Sequence, residues 1–308
     1  MTAQPGTSKA VLLAFAGIYI IWGTTFIGIA LTIRTIPPFF SGAIRFFIAA
    51  TLMYAWLRAR EPRPFARLNI GGSILCGVLL SGIGNGFVIW SQQGLPSGIA
   101  ALFVGSLPVM ILLLDWLLFS HRVPTPRGVL GVAIGLSGVV LLIAHTHSLS
   151  GQVRPVHVLA ILLAQLGWAL GSLLQPRYVP SDRLPNYTCL QMLAGGTFQL
   201  LMGCIGREWI GFSFAQVSLQ SWLALSYLVL FGSLIAVNCY SYLLAHVPPQ
   251  KVSTYALVNP VIALILGALL LHEIITPLAV LCALLVILGV ALVLWRGPRA
   301  PTRGAAVI

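Results

Sequence analysis

The stretch Ile99–Leu142 reads IAALFVGSLPVMILLLDWLLFSHRVPTPRGVLGVAIGLSGVVLL. It returns near the C-terminus as Val252–Leu294, VSTYALVNPVIALILGALLLHEIITPLAVLCALLVILGVALVL. Pro108-Val109 falls on Pro260-Val261, the segment His121–Pro126 on His272–Pro277, and Gly138-Val139 on Gly289-Val290. Each copy is an apolar run with a proline partway along, a short polar break and a second apolar run. Two membrane-length helices joined by a tight turn give that pattern, and here it occurs twice. The sequence reads as a duplicated membrane protein with its function placed between the copies.

Composition agrees. Of the 308 residues, 58% are hydrophobic and 7% charged, with mean hydropathy +0.99. A soluble domain carries about 25% charged residues, so this chain lacks the polar surface to face water, and its solvent is lipid. The formal net charge of +12 lies in arginines at the breaks between apolar runs. That is the distribution of a topology signal and not of a nucleic-acid-binding groove, so nucleic acid is set aside as a partner. Cys76, Cys189, Cys204, Cys239 and Cys282 are scattered in apolar runs with no CxxC pair, and they read as small apolar side chains. No metal site and no cofactor is expected.

About twenty apolar residues cross a hydrocarbon core of roughly 30 Å. On that ruler the chain divides into ten helices, at 11–33, 38–57, 70–92, 98–120, 127–145, 156–176, 184–205, 218–244, 250–272 and 276–295. The first is too long for a signal h-region and should remain as a span. The breaks carry Pro37-Pro38, Pro96, Pro124 to Pro126, Pro155, Pro180 to Pro185, Pro248-Pro249 and Pro277. With the N-terminus inside, thirteen basic residues face the cytoplasm (Lys9, Arg58, Arg60, Arg63, Arg67, Arg122, Arg127, Arg177, Arg183, Lys251, Arg296, Arg299, Arg303), against Arg34, Arg154 and Arg207 outside. Both tails, 1–10 and 296–308, are therefore expected in the cytoplasm.

Five helices per copy is an odd number, so the second repeat (156–295) must be inverted relative to the first (11–145). Inverted repeats build carriers with a midplane site reached alternately from either side. The expected fold is an all-α membrane protein: ten transmembrane helices as two inverted five-helix repeats around a central cavity.

The candidate lining follows from polar and aromatic residues inside apolar runs, because such groups in hydrocarbon turn inward. Trp22 and Trp168 are repeat mates near mid-membrane, with Thr25 and Ser172 beside them. The glycine-rich third helix carries Asn85 and ends in Trp90. Its mate, the eighth, carries Ser233, Asn238, Tyr240, Ser241 and Tyr242. Gln165, Tyr255 and Asn259 complete a polar, uncharged set. The substrate-binding candidates are Trp22, Thr25, Asn85, Trp90, Gln165, Trp168, Ser172, Asn238, Tyr242, Tyr255 and Asn259. Each competes with plain packing or interhelical hydrogen bonding. Pro108 and Pro260 interrupt corresponding helices and are candidate hinges, or static kinks. Two charges lie within the spans: Arg45, a candidate partner for a substrate carboxylate, and Asp115, a candidate proton-coupling group.

The Trp22-Gly23-Thr24-Thr25-Phe26 opening, Arg45-Phe46-Phe47 with Ala49-Ala50, Pro108, Asn259-Pro260, and Glu273 followed by Ile274-Ile275-Thr276 resemble the EamA family of the drug/metabolite transporter superfamily. The resemblance spans about residues 11–295 as two repeats. It implies ten helices, a bacterial inner-membrane location, a cavity walled by helices 1, 3, 4, 6, 8 and 9, and export of amino acids, including aromatic ones, or other small metabolites. Two departures stand out. The family's acidic residue at the end of the fourth helix is replaced by His121 or Arg122, and its glycine before the later acid is His272. No acidic residue lies between Met1 and Arg60, against the cation/proton antiport of the small multidrug relatives. The expected partners are a small-molecule substrate and the bilayer. The rival readings are an efflux carrier for drugs or sugar-type metabolites, a membrane-embedded enzyme, or a scaffold. An enzyme would need paired acids, HExxH or a Ser/His constellation, which the sequence lacks.

Overall fold

The structure is a computed structural model and describes residues 8–121, 126–149, 154–256, 258–259, 262, 266, 269 and 276–294. Every regular element among them is helical. In chain order these are α1 (Ser8–Thr32), α2 (Pro38–Arg58), α3 (Ile70–Ser91), α4 (Ser97–Ser120), α5 (Pro126–Leu149) and α6 (Pro155–Tyr178). They continue with α7 (Leu184–Ile205), α8 (Leu219–His246), the short α9 (Pro249–Val252) and α10 (Pro277–Leu294).

Seven described helices, α1 to α4 and α6 to α8, are long and apolar enough to cross a membrane. The expected count of ten draws in addition on α5, α10 and the segment 250–272. About half of that segment lies outside the described residues, with α9 at its start. Pro260, His272, Glu273 and the C-terminal tail also lie outside them.

The helix starts follow from local chemistry. Pro38, Pro126, Pro155, Pro249 and Pro277 each open a helix, where a fixed φ helps and the absent N–H has no partner to lose. At the head of the third helix of each half, Asn69 accepts the Gly72 amide at 3.1 Å and Ser218 accepts the Ser221 amide at 3.2 Å. Both of these helices contain a π-helical stretch, Val78–Gly84 in α3 and Leu228–Ile235 in α8. Helix α4 is interrupted at Gly105-Ser106, and Pro108 stands in the first turn of its second half, Leu107–Leu114. Proline has no amide to return to the Val104 carbonyl, which is the physical reason for a break there.

The helix pairing repeats across the two halves. Helix α1 lies antiparallel to α8, with Gly17 against Cys239 and Gly28 against Leu228, while α6 lies antiparallel to α3, with Gly171 against Leu80 and Gly167 against Ile83. Helix α2 runs antiparallel to its mate α7, and α5 to its mate α10. Glycine sets the closest approaches. A Cβ on Gly77 would stand 2.5 Å from the Gln191 carbonyl oxygen of α7, and one on Gly289 would stand 2.5 Å from the Gly131 carbonyl oxygen of α5.

The α2/α7 pair is tied at both ends by a glutamate that follows one helix and meets the start of the other. Glu61, after α2, receives Arg183 Nη2 at 2.8 Å and the Asn186 amide at the start of α7. Glu208, after α7, receives the Phe39 amide at 3.2 Å and the Phe40 amide at 3.0 Å at the start of α2. The two ties occupy corresponding places in the two repeats. Antiparallel mates juxtapose such ends, so corresponding positions tie the pair at both ends, Glu61 through side chains and Glu208 through backbone amides.

Candidate functional site

Midway along α6 and in the second halves of α1 and α3, the helices stand apart around a cavity of about 60 Å³. Its lining comes from Trp22, Thr25, Phe26 and Ile29 on α1, Arg45 on α2, and Gly84, Asn85 and Val88 on α3. Val104 on α4, Ala164, Gln165 and Trp168 on α6, and Tyr255 and Asn259 beyond α9 complete it. The cavity lies where the first repeat meets the second.

One wall is aromatic. The Trp22 ring centroid lies 5.3 Å from Trp168, 5.0 Å from Tyr240 and 4.8 Å from Tyr255, mostly edge to face. That packing matches the quadrupoles of the rings. The polar ends are directed to backbone and hydroxyl partners: Trp22 Nε1 donates to the Gly232 carbonyl at 3.3 Å, and Trp168 Nε1 to the Tyr240 hydroxyl at 3.0 Å. Both tryptophans meet a π-helical stretch of the opposite repeat, Trp22 at Gly232 and Trp168 at Gly84, where a Cβ would stand 2.6 Å from the indole. Side chain and stretch therefore exchange between the repeats in the same way twice.

Among the described residues the polar wall is uncharged apart from Arg45. Gln165 Nε2 donates to the Phe103 carbonyl at 2.5 Å, beside the α4 interruption. Thr25 Oγ1 donates back to the Trp22 carbonyl at 2.8 Å. The Asn259 amide, oriented so that its nitrogen meets oxygens, donates to the Tyr255 carbonyl at 3.1 Å and the Tyr19 carbonyl at 3.3 Å. Arg45 is 1% exposed. Its Nε donates to Ser233 Oγ at 2.7 Å and its Nη1 to Asn85 Oδ1 at 3.2 Å. Among the described residues no carboxylate lines the cavity, and no three His, Cys, Asp or Glu side chains converge as a metal site.

Of the residues singled out in the sequence, Trp22, Thr25, Arg45, Asn85, Gln165, Trp168, Tyr255 and Asn259 share this cavity. The others do not. Trp90 stands further along α3, its ring 5.0 Å from His157. Ser172 lies behind Trp168, its hydroxyl 2.6 Å from that of Tyr240. Asn238 donates to the Leu234 carbonyl at 2.7 Å and faces Met53 of α2, and Tyr242 is covered by His246 at 4.2 Å. Asp115 is half-buried toward the end of α4, off the cavity. Pro108 sits just past the α4 break, whereas Pro260 is outside the described residues. Helix α8, expected as a wall, stands one layer back and acts through Ser233, Tyr240 and the Gly232 carbonyl, while α2 contributes a wall residue instead.

A second, open pocket of about 640 Å³ lies beyond the cavity at one end of the bundle. Its lining includes Arg34, Phe39, Trp90, Arg154, His157, Glu208 and Phe212. Between the two spaces sits an apolar cluster of Ile29, Ile89 and Leu228, all buried, flanked by Ile33, Val88 and Tyr227. Burial raises the Glu208 carboxyl above the ordinary value near 4.5 and outweighs the opposing pull of the Phe40 and Phe39 amides. A folded-state value above the unfolded one means that the stability it contributes is full below about 4.5 and is lost as pH rises through the raised value. Acidification from neutral pH is therefore expected to raise the melting temperature of the native protein relative to Glu208→Gln. A parallel shift of the two melting curves with pH would contradict this.

The comparisons with known proteins agree with this architecture. The model of the EamA-like transporter family matches residues 8–144 and again 156–295. The uncharacterized inner membrane transporter YedA of Escherichia coli K12 is 34% identical over 282 residues, covering 91% of this chain and 89% of its own. A probable amino-acid metabolite efflux pump of the same organism is 24% identical, covering 88% and 90% of the two chains. A crystal structure at 21% identity superposes with a TM-score of 0.67 over 94% of this chain and 98% of its own, which shows a shared fold. With two family matches that together span most of its length, each on one repeat, this chain belongs to the EamA-like transporter family.

Proposed function

We propose that this protein is an inner-membrane carrier that exports small metabolites, amino acids foremost, by alternating access between two inverted five-helix repeats. The observation that carries the proposal is the position of the cavity: inside the helix bundle, between the two repeats, and walled by Trp22 of one and Trp168 of the other. Antiparallel contacts between repeat mates, α2 with α7 and α5 with α10, support the inverted arrangement. The name of the amino-acid metabolite efflux pump, 24% identical, points to the same substrate class.

In this reading ten helices span the bilayer and both termini are cytoplasmic, as the basic residues indicate. The open pocket then faces outward, and Ile29, Ile89 and Leu228 form the plug between it and the cavity. A cavity of about 60 Å³ has room for water and not for a metabolite, because ligand pockets occupy about 300–1,000 Å³. The walls must therefore separate to admit substrate, which is what exchange between inward- and outward-open states provides.

The test uses the purified protein in liposomes loaded with a mixed pool of amino acids, sugars and amines, with efflux read by mass spectrometry. Amino acids are expected to leave faster than from protein-free vesicles. Release of nothing above that background, with or without a proton gradient, would defeat the proposal.

A further inference from the structure

Arg45 is an unusual wall residue. It lies two turns into α2, is 1% exposed, and lines a cavity whose other described residues offer aromatic, aliphatic, hydroxyl and amide groups. A guanidinium taken out of water needs a counter-charge or a full set of acceptors. It has five N–H donors, and the described acceptors are two neutral atoms, Ser233 Oγ at 2.7 Å and Asn85 Oδ1 at 3.2 Å. The Phe46 ring lies 5.1 Å from its central carbon. The one salt bridge among the described residues is Arg183–Glu61, at the far end of α2. Nη2 donates to no described residue, and Gly232 leaves it room: a Cβ there would stand 2.9 Å away.

Ser233 and Asn85 therefore fix the plane of a charge that meets no anion among the described residues. Asn85 holds it from α3 of the first repeat and Ser233 from α8 of the second, so the head is placed by both. The remaining lining offers Trp22, Trp168 and Tyr255 as apolar faces. The site is thus complementary to a small molecule with an anionic head and an apolar body.

We propose that Arg45 is the anion subsite of the cavity, and that it receives the carboxylate of amino-acid-class substrates while their side chains meet Trp22, Trp168 and Tyr255. This rests on the transport reading above and makes it narrower. Primary amines and neutral amides of the same shape are disfavoured, since neither brings the guanidinium a negative charge. A carboxylate is the head that matches the planar fork, and a single buried arginine does not supply the several cations that a doubly charged phosphate requires.

The test measures binding to the full-length protein in lipid nanodiscs by calorimetry, using matched pairs: phenylalanine and phenylalaninamide, leucine and leucinamide, alanine and alaninamide. At least one acid is expected to bind, and about 10- to 100-fold more tightly than its amide, the range for a charge-assisted hydrogen bond. Arg45→Gln keeps a donor for Asn85 or Ser233 and is expected to bring acid and amide to similar affinity. Should that variant fail to fold, Asn85→Asp serves instead, because a carboxylate built beside Arg45 competes with the ligand's and should weaken the acids selectively. Equal affinities for acid and amide in the native protein, an equal loss of both in either variant, or no binding by any acid would each overturn the proposal. Efflux from the mixed-pool liposomes separates the outcomes. Release of amino acids together with equal binding of their amides removes the carboxylate subsite alone, whereas release of nothing removes the transport reading as well.

Discussion

Alanine in place of Trp168 is expected to cut transport at least about tenfold, the scale of removing one aromatic contact that a bound substrate needs, while the protein still assembles. Trp168 is partly exposed to the cavity, and its Nε1 donates to the Tyr240 hydroxyl, which keeps a second partner in Ser172 Oγ at 2.6 Å. Removing the indole enlarges a space that already exists and leaves Tyr240 hydrogen-bonded. Its mate, Trp22, is placed differently. It is 6% exposed and wedged among Trp168, Tyr240 and Tyr255, with its Nε1 on the Gly232 carbonyl of the other repeat. Truncating such a buried tryptophan costs about 3–5 kcal/mol, so Trp22→Ala should lower both transport and melting temperature. The measurement is counterflow per mole of folded protein beside thermal unfolding, for both variants. If Trp168→Ala loses stability as steeply as Trp22→Ala, both rings are packing residues and the aromatic wall has no substrate role.

Why one wall tryptophan is wedged among aromatic rings while its twin is partly exposed could not be read from the sequence, since both sit in the same small-residue context at the same depth. What was legible followed from composition and spacing. Polar groups in apolar runs must turn inward, and Asn85, Gln165, Asn259 and Arg45 do share one cavity. Proline favours the first turn of a helix, and Pro38, Pro155 and Pro277 open helices where breaks were expected, although Pro176 stands inside α6. Phe26, Ile29, Val88 and Val104 could not be told from core residues, because type alone does not separate a wall from a filling.

The eighth helix misleads for a more specific reason. A π-helical stretch fits an extra residue into the helix, and each residue in an α-helix turns it by roughly 100°. Past the stretch Leu228–Ile235, Asn238 and Tyr242 fall on faces turned away from the cavity, although residue type alone had placed them on its wall. Those side chains meet Met53 and His246, while Tyr240 supports the tryptophan pair. Trp90 fails by distance: at about 1.5 Å rise per residue, the five positions from Asn85 carry it out of the cavity to the edge of the open pocket. Nothing in the sequence singles out Glu61 and Glu208, and only the antiparallel pairing of α2 with α7 shows that each holds the other helix.

Those two ties lead to the sharpest expectation about motion. Clasped at both ends and packed along its length, with Gly196 against Phe46 and Phe47 and Gly203 against Phe40, the α2/α7 pair should move as one bar. Opening of the cavity toward the open pocket must instead part Ile29, Ile89 and Leu228, which belong to α1, α3 and α8. Two cross-links therefore have opposite expected effects when built into a variant whose five cysteines are replaced. Joining Ile29→Cys to Ile89→Cys should arrest counterflow almost completely, and reduction should restore it, because the plug can no longer separate. Joining Glu61→Cys to Asn186→Cys should leave most of the transport in place, because it only renews a tie that the native side chains already make. Cross-linking is confirmed by gel mobility before each assay. Arrest by the second cross-link as complete as by the first would mean that α2 slides on α7 during the cycle, and the rigid bar would have to be abandoned. Survival of transport with the first cross-link in place would mean that substrate leaves by a path that avoids the plug.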